Sequence, residues 1–495
     1  MTEVSPHAVD LAPLFAALDC PRAFGDLDRA VSNLAHDSRA VRPGGAFVAV
    51  RGERVDGHAF LDAAVAAGAR TVVVDRRYAE AHGVPDGVTT IVVPDTRRAL
   101  SRLAAAFYDY PARSLRVVGI TGTNGKTTTT HLVAHVLGAG GVPAGRIGTL
   151  GAAFGGALWS LDNTTPLSLE TQALLAAMRD RGAEAVAMEV SSHALVLDRV
   201  CDVPFAVGVL TNVTRDHLDF HPSFEAYAAA KRSLFEQAAL ALLNVDDACG
   251  RQFADDLRAR GRALVTYGFG EDADLRATSL VSSTDGSAFT VDGQSFRLRV
   301  PGRFNVHNAL AALGTARAFG IGDAVTAAAL ESFGGVPGRM ERLSGANVDV
   351  LVDYAHTPDA LDAVLRAARD ACARELVVVF GCGGDRDRGK RPEMGRVAAA
   401  LADRIVVTSD NPRGEEPRAI AADVVAGIPA GANAVVELDR RAAIRNAVLA
   451  ARPGDVIVVA GKGHETYQIV GKSSAHFDDR DEVRAALAAR AAATS

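Results

Sequence analysis

Short, continuous apolar runs recur along the chain and alternate with Ala- and Leu-rich segments of helical periodicity. The runs share β-branched side chains and flanking turn residues, a pattern typical of parallel strands buried on both faces. They include residues 72–74, 117–120, 377–380, 405–407 and 456–459. Segments such as 127–137 and 360–373 lie between runs and predict helices. The alternation predicts an α/β protein with mostly parallel sheets.

Two breaks in this pattern predict domain boundaries. A helical segment ends at Pro111 and a new strand begins at Leu115, while a Gly/Pro cluster at 334–338 precedes the apolar run 348–352. At roughly 150 residues per domain, a chain of 495 residues is expected to form about three domains. The predicted units are residues 1–112, 113–336 and 337–495.

Composition narrows the class of protein. The formal charge of −6 disfavours a protein that neutralises nucleic-acid phosphates or an anionic membrane. With 48% hydrophobic and 23% charged residues, wholesale disorder is excluded, and the five scattered cysteines form no C-x-x-C pair. No secretory signal or apolar stretch of spanning length is visible. We expect a cytoplasmic monomer with no nucleic-acid partner and no membrane insertion.

The strongest chemical signal is the segment 121–128, Thr-Gly-Thr-Asn-Gly-Lys-Thr-Thr, which follows a predicted strand and opens a predicted helix. Glycines let backbone N–H groups point at phosphate oxygens, and the helix N-terminus adds positive potential. Lys126 would reach the β- and γ-phosphates, and the Thr127 hydroxyl would bind Mg²⁺. The segment departs from the general P-loop pattern, because Ile120 stands where that pattern has glycine. The alternative is a purely structural turn before a helix.

Three further positions of the central unit bear on this site. Glu189 ends the predicted strand 186–190, and a carboxylate there is a good ligand for a hard cation. His217, within Asp-His-Leu-Asp at 216–219, is a candidate for a second cation or a phosphate, with an ordinary surface histidine as the alternative. Lys231 lies in a predicted helix, and the residues alone indicate a solvated charge.

The loop and several other motifs together resemble the Mur ligase family. These motifs lie at 121–128, 163–166, 188–193, 215–219, 302–308, 353–358, 383–386, 410–413 and 461–465. The resemblance covers nearly the whole chain and is most specific to the members that add the third amino acid of the peptidoglycan peptide. It implies a small N-terminal UDP-binding α/β domain, a central P-loop ATPase-type domain with a parallel sheet, and a C-terminal Rossmann-like domain.

The resemblance also implies roles for individual residues. For ATP it implies Gly122, Thr123, Asn124, Gly125, Lys126, Thr127 and Thr128, with Asn308, Arg339 and His356 as weaker candidates. For the UDP-linked substrate it implies Ser38, Glu53, Arg54, Val55, Asn163, Thr164, Thr165, Ser191, Leu197 and Arg199, where Leu197 replaces a polar Gln of some members. For Mg²⁺ it implies Thr127, Glu189, His217 and Lys231, the last as a carbamate. The catalytic set is Lys126, Glu189, His217 and Lys231.

The activity implied is that of an ATP-dependent ligase that uses Mg²⁺ and joins an amino acid to UDP-N-acetylmuramoyl-L-alanyl-D-glutamate through an acyl phosphate. The first alternative is folylpolyglutamate synthetase, which the roughly 112 residues before the loop disfavour, because that enzyme starts near its loop. The second is a regulatory or motor P-loop ATPase, which leaves the Asp-Asn-Pro-Arg motif at 410–413 unexplained.

The amino acid expected is meso-diaminopimelate, with L-lysine and L-ornithine as alternatives. Arg413 resembles the residue that reads the distal carboxylate, which lysine and ornithine lack, and a planar guanidinium matches a carboxylate in bidentate fashion. The remaining residues expected to bind this ligand are Arg386, Asp410, Asn411, Pro412, Gly461 and Glu465. In the competing interpretation, Arg413 only caps local structure or pairs with Glu415 or Glu416.

Overall fold

A computed structural model describes residues 8–52, 55–345 and 347–494 of the chain. These residues form three successive α/β units, each built on its own main sheet. The α/β class predicted from the sequence is confirmed. Among the described residues, no helix combines the length and apolar content needed to cross a bilayer.

The first unit has a five-stranded sheet of order β2-β7-β6-β5-β4, in which only β2 is antiparallel to its neighbour. Its strands are β1 (Val9–Asp10), β2 (Arg22–Phe24), β3 (Ala30–Val31), β4 (Leu34–Ala35), β5 (Ala46–Val48), β6 (Thr71–Asp75) and β7 (Thr89–Val93). Its helices are α1 (Leu11–Ala16), α2 (Leu61–Ala66), α3 (Arg76–His82) and α4 (Thr96–Phe107), with 3₁₀ turns at Ser38–Ala40, Gly57–Phe60 and Pro111–Arg113.

The central unit has a nine-stranded sheet of order β11-β10-β9-β12-β8-β13-β14-β15-β16, parallel from β9 onward, and a three-stranded antiparallel sheet β17-β18-β19. Its strands are β8 (Arg116–Thr121), β9 (Ala144–Gly148), β10 (Gly151–Phe154), β11 (Ala157–Trp159), β12 (Ala185–Glu189), β13 (Phe205–Leu210), β14 (Ala238–Asn244), β15 (Leu264–Gly268), β16 (Leu275–Arg276), β17 (Thr278–Ser283), β18 (Gly286–Val291) and β19 (Gln294–Leu298). Its helices are α5 (Lys126–Ala139), α6 (Ser168–Asp180), α7 (Ser192–Val196), α8 (Phe224–Arg232), α9 (Leu234–Gln237), α10 (Ala248–Ala259), α11 (Arg303–Ala318) and α12 (Asp323–Ser332).

The third unit has a six-stranded sheet of order β20-β21-β25-β22-β23-β24, parallel except for the edge strand β20, and a separate β26-β27 hairpin. Its strands are β20 (Glu341–Gly345), β21 (Val348–Asp353), β22 (Leu376–Phe380), β23 (Arg404–Val407), β24 (Ala434–Val436), β25 (Val456–Ala460), β26 (Tyr467–Val470) and β27 (Ser473–His476). Its helices are α13 (Pro358–Asp370), α14 (Lys390–Leu401), α15 (Pro417–Val425), α16 (Arg440–Ala450) and α17 (Asp479–Thr494).

The strands of the central sheet are continuous apolar runs because helices cover both faces. Val118 of β8 packs in the same cluster as Val133 of α5, whereas Val117 packs with Leu175 of α6 on the opposite face. Burial of each such side chain contributes about 1.5–3 kcal/mol. This packing fixes the strand ends, where the candidate chemistry lies.

The predicted elements are confirmed with small shifts at their ends. The helix predicted over 360–373 spans Pro358–Asp370, so its last three positions are wrong. There the backbone N–H groups of Ala371 and Cys372 bond three residues back, a tightened turn that leads the chain toward β22. The prediction that Lys126 opens a helix is confirmed, and so is the placement of Glu189 at a strand end.

Candidate functional site

The phosphate-loop motif forms a tight turn between β8 and α5. Gly122 and Gly125 have φ of +149° and +86°, which L-residues with a side chain rarely adopt. A Cβ on Gly122 would collide with the Thr211 hydroxyl, and one on Gly125 would lie 2.6 Å from Asn308 Oδ1. Both glycines are therefore required by backbone conformation and by close neighbours, so the loop is a specific structure.

Two lysines, the half-buried Lys126 and the buried Lys231, converge on one backbone oxygen of this loop. Lys126 Nζ donates to Gly122 O and Thr123 O, each at 2.8 Å, and Lys231 Nζ donates to Gly122 O at 2.8 Å. Lys231 is 1% exposed, and its Nζ lies 4.4 Å from the centre of the Tyr227 ring. In the parts of the chain that the structure describes, no carboxylate oxygen lies within 4 Å of either Nζ.

Burial lowers the pKa of both amines, and for Lys231, whose pKa falls well below its ordinary value, the charge of Lys126 adds to the effect. Glu189 and Asp216 act in the opposite direction on Lys126 from a longer distance. Among the described residues, the loop therefore has two amines and no carboxylate at close range. An anion that enters it is stabilised, which fits the phosphate groups of ATP.

Glu189 lies at the end of β12 next to the loop and is 1% exposed. Its carboxylate accepts hydrogen bonds from Thr149 N at 2.9 Å and from Thr149 Oγ1 at 3.1 Å. The Thr149 hydroxyl also lies 3.1 Å from Thr164 Oγ1. Thr149 was missed by the sequence reasoning, and the only available signal was its position directly after β9.

His217 lies across the loop in the left-handed region, with φ of +53°. Its Nε2 is 3.5 Å from Asp216 Oδ2, and its ring meets the edge of the His193 ring at a centroid distance of 4.9 Å. Burial lowers the pKa of His217, so its imidazole is neutral at pH 7 and keeps a lone pair for a ligand. His193 and Asp216 had no role in the sequence interpretation.

A cavity of about 430 Å³ joins the central and third units. Thr127, Glu189 and His217 line its central-unit wall, with the loop residues 123–128. The three weaker ATP candidates, Asn308, Arg339 and His356, line the same cavity, and apolar residues of α13 close it at Ala360, Ala363 and Val364. The structure thus brings the predicted phosphate, metal and linker residues to one place, apart from Gly122 and from Lys231, which donates to the Gly122 carbonyl.

Binding of Mg²⁺ depends on the oxygen donors beside the phosphate loop. Among the described residues, no group of three or more His, Cys, Asp or Glu side chains lies close enough to hold a metal. Mg²⁺ is usually held by one or two protein oxygens together with substrate phosphates and waters. The Thr127 hydroxyl and the Glu189 carboxylate line the cavity beside the phosphate loop, so the residues present fit such a site.

The candidates for the UDP-linked substrate fall into two groups. Thr165 is fully buried: its hydroxyl donates to Glu189 O and accepts from Ser191 N, and its carbonyl accepts from Arg199 Nη1. Thr164 lines the cavity, whereas Asn163 is exposed and Leu197 is half-buried at the end of α7.

The other candidates belong to the first unit. Ser38 opens the 3₁₀ turn Ser38–Ala40, and Val55 is 55% exposed. Glu53 and Arg54 lie outside the described residues. None of the described ones is among the residues that line the cavity, so the structure leaves this group apart from the phosphate loop.

The predicted amino-acid site forms from loops at the carboxyl ends of β22, β23 and β25. Asn411 Nδ2 donates to Glu465 Oε2 at 2.9 Å, and Gly461, with φ of +117°, approaches the Asp410 carboxylate. Asp410 and Pro412 are buried beside them, whereas Arg386 is exposed and bonds the neighbouring Asp385 carbonyl.

Arg413 adopts a positive φ of +52°, and its Nη1 donates to Gly384 O at 2.9 Å. Glu415, the suggested alternative partner, is bound by Arg388 and by the fully buried Arg391, each at 2.8 Å. Within the described ranges, no carboxylate lies within 4 Å of the Arg413 guanidinium. Local ion pairing therefore does not explain Arg413, and its remaining donors are available to a ligand.

Lys462, which the sequence reasoning did not single out, lies at the centre of this site. It is 0% exposed, and its Nζ donates to Asn411 Oδ1 at 3.0 Å. The carboxylates of Asp410 and Glu465 lie 3.4 and 3.5 Å from the same nitrogen. The only sequence signal for this role was its place in the Gly-Lys-Gly-His-Glu motif.

Comparison with known proteins agrees with this architecture. Residues 30–108 match the Mur ligase catalytic domain family, 120–316 the Mur ligase middle domain and 338–463 the Mur ligase glutamate ligase domain. The chain belongs to the Mur ligase family.

Its relatives point to one branch of that family. UDP-N-acetylmuramoyl-L-alanyl-D-glutamate–2,6-diaminopimelate ligase of Gloeobacter violaceus is 48% identical over 95% of this chain and 96% of its own length. The enzyme of the same name from Synechococcus elongatus is 47% identical, covering 94% of this chain and 96% of its own length. A solved structure of a ligase with that name has a TM-score of 0.71 at 33% identity, covering 98% of this chain and 99% of its own.

Proposed function

We propose that the protein adds meso-diaminopimelate to UDP-N-acetylmuramoyl-L-alanyl-D-glutamate, with ATP converted to ADP and phosphate, in peptidoglycan synthesis. The observation that carries the proposal is the cavity shared by the phosphate loop and the third unit. A ligase must bring a phosphorylated carboxylate and an amine together, and this cavity lies between the units predicted to bind them. Relatives at 47–48% identity carry the name of this activity.

The reaction begins with activation of the glutamyl carboxylate. One carboxylate oxygen bonds to the γ-phosphorus of ATP, the bond to the bridging oxygen breaks, and ADP leaves. We infer that Lys126 exchanges its bonds to Gly122 O and Thr123 O for phosphate oxygens, which neutralises developing charge. Thr127, Glu189 and His217 would hold Mg²⁺, which would supply charge neutralisation at the phosphates.

The amine of the amino acid then attacks the carbonyl carbon of the acyl phosphate, the tetrahedral intermediate collapses, and phosphate leaves. Water in the site would hydrolyse the acyl phosphate, so the apolar wall formed by Ala360, Ala363 and Val364 of the third unit has a protective role.

Lys231 is proposed to act as a carbamate. Its lowered pKa favours the neutral amine, and a neutral amine can bond to the carbon of CO₂ with loss of one proton. The product would be an anion close to Lys126, because both side chains bond Gly122 O. Its oxygens would join Thr127, Glu189 and His217 as the fourth member of the predicted Mg²⁺-binding set.

The two remaining substrates are proposed to enter from opposite sides. The first unit, residues 1–112, would hold the UDP end through Ser38 and the turn around Val55, and Thr164 would contact the muramoyl-peptide nearer the cavity. The third unit, residues 337–495, would bind meso-diaminopimelate, with Arg413 on the distal carboxylate. ATP and the UDP-linked precursor are intracellular metabolites, so we propose that the protein works in the cytoplasm, as a monomer.

Phosphate release by the purified protein tests the class of reaction. We expect release to require both the UDP-muramoyl-dipeptide and an amino acid, and equal turnover without them would overturn the ligase assignment in favour of a simple ATPase. Competition among meso-diaminopimelate, L-lysine and L-ornithine then tests the amino acid, with mass spectrometry of the UDP-linked product as the readout. Dominant incorporation of L-lysine or L-ornithine would overturn the choice of meso-diaminopimelate.

Folylpolyglutamate synthetase is not favoured. The solved synthase from Mycobacterium tuberculosis shares 20% identity and a TM-score of 0.60 with this chain, a likeness that shows the fold alone, and it covers 74% of the chain. Mur ligase relatives cover the first unit as well.

A further inference from the structure

The amino-acid site of the third unit contains a buried cation, Lys462. Its ammonium group contacts three of the residues predicted to bind the ligand. Lys462 is 0% exposed, so burying its charge is costly unless the charge is paired. Its three donors have three acceptors, on Asn411, Asp410 and Glu465, at 3.0, 3.4 and 3.5 Å. Each N–H donor of the ammonium group therefore has an acceptor within the protein, so Lys462 is not itself a ligand-binding group.

The hydrogen bond from Lys462 also fixes the orientation of Asn411. Asn411 Oδ1 accepts from Lys462 Nζ and from Ile469 N, each at 3.0 Å, so the amide nitrogen must face Glu465, to which it donates at 2.9 Å. The β26-β27 hairpin adds a bond from Gln468 Nε2 to Asp410 O at 2.9 Å. Lys462 and this hairpin together hold the loops of β23 and β25 in register.

The charge balance around Lys462 is negative. When both are ionised, Asp410 and Glu465 place two carboxylates against the one ammonium. The nearby Arg440 does not change this balance, because its guanidinium pairs with Asp479 at 2.7 Å and both side chains are 0% exposed. Other ionisable groups that interact electrostatically with Asp410 or Glu465 are Tyr354, Cys382, Arg440 and Tyr467. Arg339, Lys390, Arg391, Arg413 and Asp423 act on these groups in turn.

Glu465 is the sensitive member of this set. Burial and the neighbouring Asp410 raise the pKa of Glu465, whereas Lys462 and Asn411 lower it. If Lys462 were removed, two adjacent carboxylates would lose their shared cation, and one of them would take up a proton at higher pH. A protonated Glu465 has lost the charge that attracts an ammonium group.

We propose that Lys462 is a positioning residue that prepares a pocket for an ammonium group of the incoming amino acid, by orienting Asn411 and by pairing with the Glu465 carboxylate. The inference rests on the proposed function only in assuming that this site takes an amino acid. The surplus negative charge selects a cationic amine, and Arg413 supplies the complementary cation for a carboxylate.

Steady-state kinetics of the full-length protein test the proposal. The variants are Lys462→Met, which removes the charge, Lys462→Arg, which keeps it, and the double variant Lys462→Met with Glu465→Gln. Arg490→Met is the control for loss of a buried cation away from this site, because Arg490 donates to the carbonyls of Val448 and Leu449 at the end of α16. The KM for meso-diaminopimelate, ATP and the UDP-linked substrate is measured from pH 6.5 to 8.5, with circular dichroism to verify folding.

For Lys462→Met we expect the KM for meso-diaminopimelate to rise about tenfold or more at pH 7.5, with the KM for ATP unchanged within about twofold. The same KM should rise further, by about threefold or more, as pH falls from 8.5 to 6.5, because loss of the Lys462 cation favours protonation of the adjacent carboxylates. Lys462→Arg should restore the flat profile of the wild type. The double variant should show a high KM that is independent of pH, and it remains informative if Lys462→Met alone does not fold.

Two results would overturn the inference. One is a wild-type KM for the amino acid in Lys462→Met; the other is a uniform rise in all three KM values without a pH dependence, as expected for a merely structural residue. If the wild type prefers L-lysine, the proposed substrate is wrong, but the inference about Lys462 is then judged by the same measurements with L-lysine, which carries the same ammonium group.

Discussion

Lys231 and Lys462 are both buried lysines close to an aromatic ring, that of Tyr227 and that of Tyr467 respectively, but their surroundings are opposite. Lys231 donates to the carbonyl of Gly122 that Lys126 also contacts, and no described carboxylate lies within 4 Å of it. Lys462 lies between Asp410 and Glu465. Among the described residues, the central site therefore has no carboxylate close to Lys231, and we expect it to bind an anion. The third-unit site has two carboxylates beside one lysine, and we expect it to bind a cation. One reaction needs both, since it joins a phosphorylated acid to an amine.

The largest effect is expected from removing the cation of the phosphate loop. Lys126→Met should lower kcat/KM for ATP by about a thousandfold or more, because charge stabilisation of the transferred phosphoryl group is lost. Phosphate release in the presence of both co-substrates measures it. Lys472→Met, at an exposed position of the β26-β27 hairpin, is the matched control and should retain full activity. If Lys126→Met lowers kcat/KM for ATP by less than tenfold, the proposal that this site binds the phosphate anion through Lys126 is wrong.

The second largest effect also concerns the central site. If Lys231 reacts with CO₂ to form a carbamate, Lys231→Met should lower kcat about a hundredfold. Lys231→Glu should lower it less, because glutamate supplies a carboxylate directly. ¹³C NMR of protein incubated with labelled bicarbonate should show one carbamate carbon in the wild type and none in either variant. Full activity of Lys231→Met, or no carbamate signal in the active wild type, would contradict the assignment.

The sequence predicted the parts of the central site that depend on the backbone. Strand ends and glycine spacing determine where Lys126 and Glu189 must lie, since parallel strands deliver their carboxyl ends to one edge of the sheet. The residues alone left Lys231 as a solvated charge, and only family resemblance corrected this. Its burial follows from α8 packing beneath the loop, which is a tertiary contact with no local signature.

The residues that the sequence reasoning missed are mostly partners of predicted ones. Thr149 binds Glu189 across two neighbouring strands, and Lys462 binds Asn411 across two loops that are 51 residues apart. Such pairs depend on strand order, and no spacing in the sequence encodes which strands are neighbours. The three-unit α/β architecture needed less information, because hydrophobic periodicity reports it directly.

The third effect concerns the amino-acid site of the third unit. Arg413→Ala should raise the KM for meso-diaminopimelate by about ten- to a hundredfold, because a bidentate bond to the distal carboxylate is lost, while the KM for ATP changes little. The matched control is Arg396→Ala, an exposed arginine of α14. Relative use of L-lysine should increase, since an unpaired guanidinium no longer penalises it. Unchanged use of meso-diaminopimelate in Arg413→Ala would show that Arg413 does not read the ligand.

The smallest effect concerns stability and the positive surroundings of the phosphate loop. His131, on α5, is mostly buried, and burial together with Arg146 and Arg339 lowers its pKa from 6.5 to about 3. The unfolded chain therefore binds a proton below pH 6.5 that the folded chain refuses until about pH 3, so stability falls as pH decreases through this window. A single site of this kind costs up to about 1.4 kcal/mol per pH unit, and less where water reaches the ring.

Thermal unfolding at pH 7.5 and pH 5 measures this contribution. Between these values the Tm of the wild type should fall about 2–4 °C more than that of His131→Gln, because glutamine has no proton to bind. His82→Gln, at the exposed end of α3, is the matched control and should follow the wild type. An equal fall in Tm for the wild type and His131→Gln would mean that His131 takes up its proton in the folded protein. The region around α5 would then hold negative charge close to this ring. That result would contradict the description of the central site as one that binds an anion.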